Sequence, residues 1–256
     1  MEKTGKYIYC IITAQSERNF GPVGVGSGDN EVLTISYDDL SMVVSNHPMT
    51  KLVVNKENLL THERVIEKVC GEFNSVLPVR FGTIASNADE IRNLMDRRYR
   101  EFKTALKYVE HKIELGVKGL WKDMEIIFQE ILKENKDIEK FKKEIEKEKR
   151  KKNIQAKIKV GKEVFEALQK KKEEEAEGII AALRKTVIDF KLNKTMSDDM
   201  FINAAFLVNK GREKEFDNIM DDLSQKYEKR TKFMYVGPLP VFNFVNIAIY
   251  PEEWEK

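Results

Sequence analysis

The chain has 256 residues, 41% hydrophobic and 34% charged, enough for one large or two modest globular domains. Its 45 lysines and arginines nearly balance 43 aspartates and glutamates, so no whole-chain field draws nucleic acid or an acidic membrane. Cys10 and Cys70 make no disulfide framework, no apolar run reaches the ~18 residues of a membrane span, and residues 7–12 are too short for a signal-peptide core, so the expected setting is cytoplasmic.

The first 120 residues read as strands and helices in alternation. Residues 7–13 form a β-rich run, and 21–30, with four glycines and a proline, form a loop. Residues 32–37 and 41–45 are predicted strands joined by a turn at Asp38-Asp39. A helix is predicted over 55–71, with Leu59, Val65, Ile66 and Val69 at helical spacing and Gly71 as its C-terminal cap. Residues 76–84 read as an apolar strand whose Pro78 implies an edge or a bulge. A second helix is expected over 87–109, then a half-buried strand in which Ile113, Leu115 and Val117 alternate with Glu114, Gly116 and Lys118.

The middle is different in composition: 25 of the 41 residues from 137 to 177 are charged, with no proline. Ile131, Ile138 and Ile145, with Phe141, start a heptad pattern that breaks at Glu148 and Lys152. Apolar stripes resume at Ile154, Ile158, Phe165 and Leu168, and at Ile179, Leu183, Val187 and Phe190. The pattern predicts an antiparallel helical hairpin over about 123–192, turning between Lys149 and Gly161. The same composition also suits a flexible charged linker, and the broken heptad leaves the oligomeric state open. Downstream, a strand (201–208), a helix (212–227), a strand (232–236), the Gly237-Pro238-Leu239-Pro240 turn and a last strand (242–249) make a βαββ unit. The last strand carries apolar residues on both faces, as a doubly covered strand or a partner-binding strand would.

No constellation for catalysis or metal binding stands out. The glycines at 24, 26 and 28 lack dinucleotide-fingerprint spacing and are followed by a strand. His62-Glu63 starts like a zincin motif, but Ile66 occupies the second histidine's place, so His62 reads as a polar residue on a helix face. His47 and His111 lie far away in sequence, and Cys10 and Cys70 sit in apolar patterns like small hydrophobes. Arg97, Arg98, Arg100, Lys103 and Lys107, interrupted by Glu101 and Glu110, read as a solvated helix face. Chemistry alone therefore points to protein–protein contact, with no catalytic residue, no metal ligand and no cofactor.

Two segments say more. Residues 76–83, Val-Leu-Pro-Val-Arg-Phe-Gly-Thr, follow the helix that begins near Asn58-Leu59-Leu60-Thr61-His62, and residues 237–245, Gly-Pro-Leu-Pro-Val-Phe-Asn-Phe-Val, lie near the end. Together with Tyr7-Ile8-Tyr9, Gly116-Val117-Lys118 and residues 203–208 (Asn-Ala-Ala-Phe-Leu-Val), they resemble the signature stretches of the gas-vesicle accessory proteins of the GvpF/GvpL family, closer to the F type. Leu239 stands where the family often has tryptophan, and Phe242 where tyrosine is common. The resemblance implies an α+β fold: an N-terminal ferredoxin-like domain (1–120), and a C-terminal domain (121–256) combining a small sheet with coiled-coil helices. It implies a non-catalytic minor structural or accessory role in gas-vesicle assembly. The implied partners are the small hydrophobic shell protein (GvpA) and other accessory proteins, in the cytoplasm or on the gas-facing shell surface. The candidate partner-binding residues are Pro78, Arg80, Phe81, Pro238, Pro240, Phe242 and Phe244. A coiled-coil adaptor unrelated to gas vesicles is the alternative reading.

Overall fold

The computed structural model describes residues 3–26, 30–136, 138 and 154–249. They form two compact units, Met1–Glu114 joined by Gly237–Lys256, and Leu115–Val236. The chain passes from the first unit into the second at 115, and residues 237–249 belong with the first.

The first unit is built on β1 (Thr4–Thr13), β2 (Asn19–Gly21), β3 (Val32–Tyr37), β4 (Leu40–Pro48), α1 (Lys56–Glu72), β5 (Val76–Pro78), β6 (Ile84–Ala85), α2 (Ala88–Arg97) and α3 (Tyr99–Val109). The sheet runs β2-β3-β4-β1-β5, with β6 also beside β1. β1 is central, and Tyr7 to Ile12 are all fully buried, which explains an apolar run without alternation. A register shift between Ile8 and Cys10 bends the strand against β4. Asp38, at φ 54°, makes the tight turn from β3 to β4. Asn55 caps α1 by accepting the Asn58 backbone N–H, and Val65, Ile66 and Val69 point into the core.

Several expectations are corrected here. Four strands precede the first helix, one more than the three expected, and the added one is the short β2. Gly71 lies inside the last turn of α1, and Phe73 occupies the cap. The 87–109 helix breaks at Arg98 (φ −107°, ψ 18°), giving α2 and α3. Pro78 is on the edge strand of the sheet, as its missing N–H requires, but β5 is only three residues long. The chain beyond it loops through Gly82 (φ 85°) before β6.

The second unit comprises most of β7 (Lys112–Trp121), then α4 (Met124–Glu134), α5 (Ile154–Leu183), β8 (Val187–Leu192), β9 (Met200–Asn209), α6 (Glu213–Lys226) and β10 (Thr231–Leu239), which crosses back to the first unit. Its sheet order is β10-β7-β9-β8. Leu115, Val117, Ile127, Ile131, Leu168, Ile180, Leu183, Phe206 and Phe216 are buried, with the Phe206 and Phe216 rings 5.5 Å apart. The base of the two helices is tied by ions: Arg230 grips both oxygens of Glu130 (2.6 and 2.9 Å) and one of Glu175 (2.6 Å). Lys171 reaches Glu134 at 2.8 Å and Glu130 at 3.1 Å.

The helical stripe expected through Val187 and Phe190 is corrected as well. α5 stops at Leu183, where the Thr186 backbone N–H and hydroxyl both donate to the Leu183 carbonyl, and the next residues are strand β8. The heptad positions Phe141 and Ile145, much of the expected hairpin turn, and Gly28 lie outside the described residues. No described helix is long and apolar enough to cross a membrane.

Candidate functional site

The two signature segments, about 160 positions apart in sequence, meet on the first unit. The chain after β10 turns at 240–245, where Phe242 N–H donates to Pro240 O, and the Phe244 and Val245 N–H groups donate to Val241 O. Ile247 then makes a single parallel bridge with Val79, just beyond β5. Residues 242–249 are therefore a turn and one bridge, and the last strand expected there is corrected. Pro238 and Pro240 remove donors on the approach, and the apolar residues on both sides reflect one set buried (Val241, Ile247) and one left toward solvent (Phe242).

Two polar anchors hold this segment. The buried Glu114 carboxylate accepts the Asn243 backbone N–H at 2.8 Å and its side-chain amide at 2.6 Å. Arg98 donates to the Ala248 carbonyl at 2.7 Å. The anchored segment, through Phe242, Val245, Asn246 and Ile247, forms one wall of a groove of about 370 Å³, whose opposite wall is Leu59, His62 and Glu63 on α1 and whose remaining lining is Pro78, Val79, Arg80 and Phe81.

His62 is not on a solvated helix face but 3% exposed beneath this groove. Its spacing from Val65, Ile66 and Val69 was the available signal, since it lies on their helical stripe. The neutral ring satisfies both nitrogens when Nε2–H donates to the Val79 carbonyl (3.2 Å) and Nδ1 accepts the Tyr7 hydroxyl (2.8 Å). The Tyr7 oxygen in turn accepts the Gly82 N–H at 3.2 Å. Both ends of the 79–82 turn are thus fixed by buried groups on α1 and β1. Burial pushes the His62 pKa down to about 4, against a smaller opposing effect of the Val79 carbonyl. Burial likewise drives the Tyr7 phenol well above its ordinary value. Phe81 stands edge-on to the His62 ring at 5.5 Å and to Tyr7 at 6.2 Å.

Of the seven candidate residues, Pro78, Arg80, Phe81 and Phe242 line the groove. Pro238 is exposed on β10, Pro240 is buried, and Phe244 is half-buried outside the lining. Leu59, at 37% exposure, and Phe242, at 38%, offer open apolar surface from opposite walls. Glu63 and Arg80 add one charge of each sign, both exposed. Among the described residues no three His, Cys, Asp or Glu side chains gather as a metal centre would require. The arrangement suits burial of apolar side chains against aromatic rings.

Comparison with known proteins agrees with this architecture. The family model for the gas vesicle synthesis protein GvpL/GvpF matches residues 5–246. Gas vesicle protein F1 of Halobacterium salinarum is 26% identical over 249 residues, covering 96% of this chain and 95% of that protein. The crystal structure of the gas vesicle protein GvpF from Anabaena sp. PCC7120 superposes with a TM-score of 0.82 at 21% identity, covering 96% of this chain and all of that one. GvpF from Microcystis aeruginosa gives 0.80 at 21% identity, over 95% of this chain and 99% of that one. The fold is thus the mixed α+β fold of those structures. With a model match spanning nearly its whole length, the chain belongs to the gas vesicle synthesis protein GvpL/GvpF family.

Proposed function

We propose that this protein works in gas-vesicle assembly as a non-catalytic binding protein that seats an apolar segment of the small hydrophobic shell protein (GvpA type) in the Leu59–Phe242 groove. Family membership carries the gas-vesicle role and sets aside an unrelated coiled-coil adaptor. The groove carries the binding reading. It is an apolar concavity with exposed Leu59 and Phe242 on opposite walls, with its 79–82 turn held by buried hydrogen bonds. A shell subunit that faces gas must present apolar surface, which aggregates unless covered before assembly. Contacts with other accessory proteins, and a place in the cytoplasm or at the vesicle surface, belong to the same proposal. So does a ferredoxin-like assignment for Leu115–Val236, which is supported by its β-α-α-β-β-α-β element order and its β10-β7-β9-β8 sheet.

Co-expression with the shell protein and capture in high salt tests the binding reading. Phe242→Ala should lower capture by roughly 30-fold, the size of a central apolar anchor, with the thermal midpoint nearly unchanged. Undiminished capture by folded Phe242→Ala, or capture that disappears in modest salt, would overturn it.

A further inference from the structure

The outer edge of β8 has no strand beside it among the described residues. Ile188, Asp189, Lys191 and Leu192 are exposed there, Leu192 at 58%. An apolar, unpaired edge is a template for another strand. The sequence Val-Ile-Asp-Phe-Lys-Leu along it is self-complementary in one antiparallel register only.

Centring a two-fold axis on Phe190 places Asp189 of one copy opposite Lys191 of the other, twice, with Ile188 opposite Leu192 and Phe190 opposite itself. Moving the centre to Asp189 or Lys191 sets like charges face to face, and a half-step either way sets a charge against an apolar side chain. The backbone parity also fits. The Asn193 N–H donates to the Asn203 carbonyl, so in the same register Asp189 and Lys191 turn their N–H groups toward β9 and Phe190 turns its own outward, where it donates to the Asp189 carboxylate at 2.8 Å. A residue with its N–H outward is what a hydrogen-bonded pair on the axis requires. Asp189 covers this N–H in the single chain and would exchange it for the partner's lysine. The register shift of β8 against β9 falls at Ile188, so the Asp189–Lys191 pairs around Phe190 are regular, the Ile188–Leu192 pairs at the two ends are distorted, and the contact is short.

We propose that two copies of this chain associate through β8, antiparallel and centred on Phe190, joining their four-stranded sheets into one. Such an interface falls below the ~1,200 Å² of stable complexes, so the dimer forms weakly, with a dissociation constant on the order of 100 μM. Association would present two grooves per particle to a polymeric shell and strengthen attachment through avidity.

Sedimentation equilibrium on the full chain, over concentrations bracketing roughly 100 μM, tests this. Asp189→Lys and Lys191→Asp should each raise the dissociation constant by roughly tenfold or more, because each places like charges opposite in both pairs. The double variant Asp189→Lys/Lys191→Asp should restore wild-type association, since the exchanged charges again oppose correctly. Circular dichroism confirms that each variant is folded. A wild type monomeric at all concentrations, or a folded double variant as weak as the single ones, would overturn the proposal. Neither outcome touches groove binding by the monomer.

Discussion

Asn243 holds the Glu114 carboxylate with two donors, its backbone N–H and its side-chain amide, across 129 positions of sequence. Glu114 is only 2% exposed, so its oxygens depend on protein donors. Asn243→Ala keeps the backbone donor and removes the amide's hydrogen bond to a buried carboxylate. The expected loss is about 1–3 kcal/mol, and hydrogen exchange should quicken at 241–249 before it does in β1. A fully protected segment in this variant would show that Val241, Ile247, the Arg98 contact and the remaining backbone bond to Glu114 hold it without the amide.

His62 makes stability depend on pH in a defined window. Its folded pKa is near 4 and its unfolded value is 6.5, so the unfolded chain takes up the proton first as pH falls. The neutral ring's contribution is complete above about 6.5 and is lost progressively toward pH 4, by up to about 3 kcal/mol. Carboxylates also titrate here, so the readout is a difference. Denaturant unfolding of wild type and His62→Gln at pH 7, 5.5 and 4.5 should give curves that converge as pH drops. A constant gap across that range would mean that His62 charges without cost.

Arg230 is matched to two carboxylates as lysine could not be. Its fork meets both Glu130 oxygens, while the other oxygen of Glu175 accepts the Trp121 indole N–H at 2.6 Å. Arg230, with help from Lys171, holds the Glu130 carboxyl down to about 2. The stabilisation this gives is present above about pH 4.5 and fades as pH falls toward 2. Arg230→Lys should lower stability by about 1 kcal/mol at neutral pH, after allowance for screening at these partly exposed groups, and move the acid transition upward. Equal acid midpoints for the two proteins would refute the assignment.

Much of the fold was legible because short β-rich runs end at turn residues and the helices keep helical spacing. β3, β4, β9 and α6 lie within a few residues of the ranges these signals predict. The failures have physical causes. Ile179, Leu183, Val187 and Phe190 keep helical spacing, yet Thr186 closes α5 by bonding back to Leu183, and β-branched Val187 and Ile188 favour strand. Residues 242–249 looked like a strand because they are apolar on both sides, but their burial comes from docking beside Val79 and over Glu114, a long-range fact with no local signal. The groove shares that origin. Pro78, Arg80, Phe81 and Phe242 could be nominated by motif, but Leu59 and His62 join them only once α1 is packed.

Gly119 and Gly71 make an opposed pair of tests for packing. A Cβ on Gly119 would lie 2.6 Å from the Phe201 ring and 2.8 Å from Ile202 Cγ2. Phe201 is stacked on Trp121 at 5.4 Å and stands edge-on to Phe233 at 6.4 Å, so the ring has nowhere to retreat. Gly119→Ala should cost about 1–3 kcal/mol, lowering the thermal midpoint by about 2–4 °C for each kcal/mol. At Gly71, in the last turn of α1, an added Cβ meets nothing within 4 Å, and the backbone is already helical. Gly71→Ala should raise stability by about 0.5–1 kcal/mol, because alanine surrenders less chain entropy on entering the helix. Scanning calorimetry on the two variants reads both signs. A midpoint for Gly119→Ala at or above that of wild type would mean that β7 and β9 stand farther apart than these contacts require.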